Sequence, residues 1–310
     1  MDQQIATPLV GVDSGHEEVV ELDSGVWRRA WDSLRRDKPA LIGAVVVLLF
    51  VLVAVFAPVL APHDPNQQFT DGISLEGGPL PPGSGRFLLG TDPLGRDLLS
   101  RIIYGARVSL VIGLLANGLA ILIGVTIGAV AGFYGGWVDM VLMRFTDIVM
   151  AFPVLLFAIA LIAITGPSLA TIIAVIAILY WTYTARVIHG MVLSLKEKEF
   201  VEAARALGAR QSRILVLYIL PHLVSVIVVY ATLGIATTVI IEASLSYVGV
   251  GVPPPTPSWG GMINEVQSYY RSDPWLVIFP GLAIMITVLG FNLLGDWLRD
   301  TLDPVQRQIR

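Results

Sequence analysis

The chain has 310 residues, of which 55% are hydrophobic and 14% charged, with a formal net charge of -4; an ordinary soluble domain carries roughly 25% charged residues. Its apolar residues come in long uncharged runs, so hydrocarbon is a better solvent for it than water. The absence of cysteine excludes disulfides, thiol catalysis, thiolate metal sites and iron–sulfur clusters, and basic residues confined to loops without interleaved aromatics give nucleic-acid binding no support.

The first 26 residues are acidic, polar and aperiodic, the composition of a disordered tail. Trp27, Trp31 and Leu34 then recur at helical spacing among Arg28, Arg29, Arg35 and Arg36, which predicts a helix on the membrane surface within a tail of residues 1–39. Residues 40–61 carry no charge and suffice to cross about 30 Å of hydrocarbon as a helix. They begin too deep and run too long for a cleaved signal peptide. Residues 62–104 are rich in Gly and Pro and form an extracytoplasmic loop.

A second uncharged run covers residues 108–138, with Gly124, Gly128 and Gly132 on one helix face. Two readings stand: close helix packing, or the general abundance of glycine in membrane helices. Residues 148–185 hold no charge, and Thr165-Gly166-Pro167-Ser168 divides them into spans three and four. Residues 214–241 make a fifth span, with Pro221 near its entry, and residues 274–295 a sixth. The expectation is an all-α polytopic membrane protein with six transmembrane helices. Its core, residues 105–295, includes an inner loop at 189–217 and an outer loop at 246–273, and a tail of residues 296–310 follows. Fifteen of the 20 Lys and Arg residues fall on one side of this arrangement, with only Arg86, Arg96, Arg101, Arg107 and Arg271 on the other. The positive-inside rule therefore puts both termini in the cytoplasm.

The inner loop contains EFVEAARALGARQSRILVLYILP. Phe200, Ala203, Ala204 and Leu207 lie at i, i+3, i+4 and i+7, one apolar face of a short helix whose other face carries Lys198, Glu202 and Arg205. Gly208 ends it as a left-handed cap would. A second short helix follows from Arg210, and the small exposed apolar face suits docking to a cytoplasmic partner. Glu202-Ala203-Ala204, Gly208 and Ile219-Leu220-Pro221 read E-A-A-x3-G-x10-I-L-P.

This segment resembles the EAA loop of bacterial ABC importer permeases. Residues 89–110, 243–263 and 279–304 are similar to the C-type permease of dipeptide, oligopeptide and nickel importers; only the longer, more acidic N-terminal tail departs. The resemblance implies a type I ABC importer permease fold in the bacterial plasma (inner) membrane. It also implies a coupling role for Glu202, Ala203, Ala204, Leu207 and Gly208, a second, B-type permease completing the pore, two ABC ATPase subunits and an extracytoplasmic substrate-binding protein. Peptide import is favoured over nickel. None of Lys38, Lys196 and Lys198 follows a glycine, so the chain has no P-loop; no cofactor is expected on it, and ATP and Mg2+ belong to the ATPase partners.

Polar groups within spans are site candidates because lipid penalises them. Asn117, Thr237, Thr238 and Glu242 are the candidates for the translocation path, Glu242 being open also to a structural reading as an acceptor for loop donors or a partner for an outer-loop arginine. Arg144 with Asp147, and Asn292 with Asp296, read as interfacial packing pairs. Asp92, Arg96 and Asp97 suggest an outer turn that either docks the binding protein or braces the permease. Pro255, in a stiff proline tract, and Trp259 suggest either a rigid outer loop over the pore or membrane-interface anchors. An ion-driven secondary transporter would show inverted repeats and midplane charges. An intramembrane enzyme would need more than the scattered His16, His63, His189 and His222.

Overall fold

The computed structural model describes residues 33–302. The tail expected at residues 1–26, the start of the surface helix at Trp27 and Trp31, and the tail end at residues 303–310 lie outside the described residues. Helix α1, Lys38–Val55, starts where the Asp37 carboxylate accepts from the Ala40 N–H at 3.1 Å. Most of its apolar side chains stay exposed, as expected of a helix solvated by lipid. A short helix α2, Ala57–Leu60, leads into a folded segment without regular strands, closed by turns and by a cluster of His63, Phe69 and Phe87.

Helix α3, Leu98–Tyr134, is 37 residues long, about 55 Å at the helical rise, and begins ten residues before the uncharged run. Asp97 caps it, accepting from the Ser100 N–H at 3.2 Å. It packs along α6, Leu169–Leu195, and the Gly124, Gly128 and Gly132 stripe is the contact. A Cβ at Gly124 would stand 2.5 Å from the Trp181 carbonyl oxygen, one at Gly132 2.9 Å from that of His189, and one at Gly128 would collide with Ala185. Of the two readings of these glycines, close packing is what the structure shows.

Between α3 and α6 the expected third span is broken. Helix α4, Gly136–Met150, and helix α5, Val154–Thr165, meet at 88°. Pro153 lacks an N–H and disfavours helical backbone at Phe152, so the apolar run cannot continue as one rod. The 12 residues of α5 reach only about 18 Å. Among the described residues, five helices are long and apolar enough to cross a membrane, and the bent pair supplies the sixth span if its halves count as one.

After α6 come α7, Glu199–Ala206, and α8, Gln211–Ile214, then a π-helical stretch, Leu215–Ile219, that runs into α9, Leu220–Tyr247. The wider turn sits just ahead of Pro221, where the missing N–H breaks the normal ladder. Helix α10, Trp259–Glu265, and helix α11, Trp275–Leu302, complete the chain. The segment before α3 and the segment around α10 meet at one end of the bundle; α7 lies at the other.

Candidate functional site

At the α7 end, one helical turn of packing holds the EAA segment. Val201 and Ala204 are buried against Ala129, Phe133, Ile188, Val192, Ile214, Ile219 and Leu223, so three spans converge under α7. Phe200 stacks on His222 with ring centroids 4.9 Å apart. This corrects the expected apolar face: Val201 joins Ala204 inward, whereas Ala203 points out and Leu207 is 88% exposed. Eight residues of helix admit both registers, and only the neighbouring spans choose between them.

The cap of α7 follows expectation. Gly208 has φ +78°, its N–H donates to the Arg205 carbonyl at 2.9 Å, and the Ala209 N–H donates to the Ala204 carbonyl at 3.1 Å, the two bonds of a Schellman motif. Glu199 and Glu202 sit in the first turn and Arg205 in the last, each at the favourable end of the helix dipole. Lys196 reaches across to the C-terminal end of α3, its Nζ donating to the Gly132 carbonyl at 2.8 Å. The result is a rigid platform carrying exposed Glu202, Ala203, Leu207 and Gly208, bonded to α3 and continuous with α6 and α9.

Of the four path candidates, three are locked inside the chain. Asn117 Nδ2 donates to the Ala231 carbonyl at 2.7 Å, and its Oδ1 lies against Gly234. Thr238 donates to the Gly234 carbonyl at 2.7 Å and is buried. Glu242 is fully buried and accepts from Ser109 at 3.1 Å and Ser246 at 2.7 Å; its partners are hydroxyls, not the outer-loop arginine. The Asn117 and Ser109–Glu242 contacts staple α3 to α9, whereas the Thr238 bond stays within α9. Only Thr237 is exposed, although its hydroxyl donates back to Leu233 at 3.3 Å.

The residues proposed for outer-loop docking divide in the same way. Asp92, Arg96, Asp97 and Trp259 are buried, and Pro255 alone is exposed. Arg96 donates from Nε to Asp92 and from Nη2 to Glu265, both at 2.5 Å; Arg101 reaches the same two carboxylates at 3.3 and 3.0 Å. Asp97 binds the Ser100 hydroxyl at 2.5 Å and His63 at 3.2 Å. The Trp259 ring sits on Gly105 and donates to the Ile102 carbonyl at 3.0 Å. Arg101 and Glu265, which sequence reasoning left out, close a network of two cations and two carboxylates joining segments over 160 residues apart.

Asp147 also departs from expectation. Its partner is Arg186 of α6, not Arg144. Residues 147 and 186 are the two charges that bound the uncharged run 148–185, a coincidence of position that a search for polar groups inside spans passes over.

Taken together, these features define a polytopic membrane protein with an exposed helical platform at one end and a braced cap at the other. A family model described as binding-protein-dependent transport system inner membrane component matches residues 124–308, and one described as the N-terminal TM domain of oligopeptide transport permease C matches residues 25–82. A dipeptide transport system permease protein DppC from Alkalihalophilus pseudofirmus is 42% identical over 278 residues, 90% of each chain. A glutathione transport system permease protein GsiD from Escherichia coli is 44% identical over 278 residues, again 90% of each. The methionine ABC transporter MetNI, solved in inward-facing conformations, has a chain of similar fold: TM-score 0.55 and 18% identity, covering 66% of this chain and 98% of that one. The chain belongs to the binding-protein-dependent inner membrane permeases, and is a multi-pass component of an ABC importer in the inner membrane.

Proposed function

We propose that the chain is the C-type permease of an ATP-driven importer of di- and oligopeptides, with both termini in the cytoplasm. Peptide cargo is favoured over nickel because the relatives at 42% and 44% identity carry dipeptide and glutathione names. A B-type permease completes the pore, an extracytoplasmic binding protein delivers the cargo, and two ATPase subunits bind ATP and Mg2+ below. The observation that carries this reading is the α7 platform: Leu207 stands 88% exposed beside a glycine-capped helix end, while Val201 and Ala204 fix that helix to three spans. Movement imposed at Leu207 is thereby imposed on α3, α6 and α9 together, which biases the inward- and outward-open states.

The test is Gly208 replaced by Trp in the assembled complex. Open space surrounds the position and the strain of a side chain at φ +78° is confined to the cap of α7, so the chain inserts and the expected outcome is normal expression with uptake abolished and ATP hydrolysis no longer stimulated by loaded binding protein. Intact uptake by an assembled variant overturns the coupling role. Flux through the purified chain alone, in vesicles without ATP, favours a secondary transporter instead.

A further inference from the structure

With Asn117, Thr238 and Glu242 enclosed, the charges left exposed on the described helices include Arg107, Arg144 and Asp296, and among them Asp147 on α4 and Arg186 on α6 are paired with each other, 45% and 54% exposed. Arg186 lies roughly 26 Å along α6 from Leu169 by helical rise, just inside the far edge of a hydrocarbon core of about 30 Å. Charges this open at that depth are costly against lipid and belong beside water or protein. Together with Met143, Met150, Ala151 and His189 they line a shallow, widely open cavity of about 550 Å3. The cavity sits where the third span breaks.

We infer that this cavity is a transit subsite for the charged groups of the cargo, terminal and side-chain, with Arg186 receiving a carboxylate and Asp147 an ammonium group. A short peptide with free termini is a zwitterion, the complement of an Asp–Arg pair that has opened. Guanidinium binds carboxylate through two parallel hydrogen bonds. In the empty state each charge neutralises the other, so neither is left uncompensated when the cargo departs, and exposure keeps both within reach of water. Two methionines in the wall supply soft, adaptable apolar contact that tolerates varied side chains. This inference rests on the peptide reading above.

The experiment uses the complete complex in proteoliposomes and compares uptake of alanyl-lysine with that of alanyl-aspartate. Arg186→Gln leaves Asp147 unbalanced, so the ratio of alanyl-lysine to alanyl-aspartate uptake is expected to rise on the order of tenfold over wild type. Asp147→Asn leaves Arg186 unbalanced and the ratio is expected to fall by a similar factor. The double variant, Asp147→Asn with Arg186→Gln, keeps a neutral hydrogen-bonding pair and is expected to return the ratio to near wild type while slowing uptake of both peptides. A brace between α4 and α6, or a contact with the other permease, makes both peptides change in parallel, and that result overturns the inference. So does unaltered uptake, including by the double variant if the single variants fail to co-purify with their partners. Wild-type complex that moves neither peptide overturns the peptide reading and this inference with it, whereas wild-type uptake with parallel losses overturns the inference alone.

Discussion

Gly208 and Gly128 show two different reasons for a glycine. At Gly208 there is open space where a Cβ would go, but φ is +78°; the constraint is the backbone, and Gly208→Ala is expected to cost about 1–2 kcal/mol locally. Hydrogen exchange at the Gly208 and Ala209 amides, which carry the Schellman bonds, should speed up while the spans keep their protection. At Gly128 the backbone is ordinary helix and the constraint is the Ala185 backbone of the neighbouring helix. Gly128→Val must push α3 from α6, and a loss of roughly 3 kcal/mol or more is expected as a lowered unfolding temperature in detergent. Unchanged thermal stability would mean that the two helices are not in this contact. Glu242 obeys a third rule: Glu242→Gln keeps an acceptor for Ser109 or Ser246 and is expected to be tolerated, whereas Glu242→Leu strands both hydroxyls, at about 1–3 kcal/mol each.

At the scale of elements, the broken third span is the main departure from a simple six-helix reading. Composition alone presents residues 148–165 as a span, because every residue there is compatible with lipid. Pro153 decides otherwise by removing one hydrogen bond and excluding helical backbone before it. The chain has no cysteine, so spin labels placed at exposed Met140 and Ile164 report the bend without background from this subunit. A right-angled pair separates these positions by roughly 25 Å and a straight rod by roughly 36 Å. Pro153→Ala is expected to move the distance distribution toward the longer value; a distribution that is long already in the parent chain would contradict the break. The register of α7 belongs to the same scale. Its amphipathic pattern announces a docked helix with one free face, yet whether Val201 or Leu207 faces inward depends on Ile188, Ile214 and Leu223, which come from other elements.

Across the whole molecule, two rigid ends are tied by long helices. The α10 end is held by Arg96 and Arg101 against Asp92 and Glu265, which ties the start of α3 to the end of α10. Removing Arg96 leaves the Asp92 and Glu265 carboxylates to share the single Arg101 guanidinium, an uncompensated buried charge of the kind that costs about 3–5 kcal/mol. Arg96→Ala is therefore expected to expose residues 62–97 and 248–274 to protease in reconstituted membranes while the spans remain inserted. Equal resistance in parent and variant would show that the network does not brace that end. At the α7 end Lys196 joins α3 to the segment before α7, so under the proposed coupling role a push on α7 is passed to helices and not absorbed in a loop.

What the amino-acid order determined alone is whatever the solvent demands of each stretch locally: long uncharged helices, the EAA spacing and the glycine that must end α7. These depend on neighbours within one or two turns, so they are legible without a fold. The partners of buried polar groups were decided by tertiary structure. Asn117 and Glu242 became staples, Arg101 and Glu265 entered a network, and half-exposed Asp147 found Arg186 on another helix. Each of those outcomes turns on which faces of distant helices meet, and a side chain in hydrocarbon takes the nearest available partner regardless of how far away it lies in the chain.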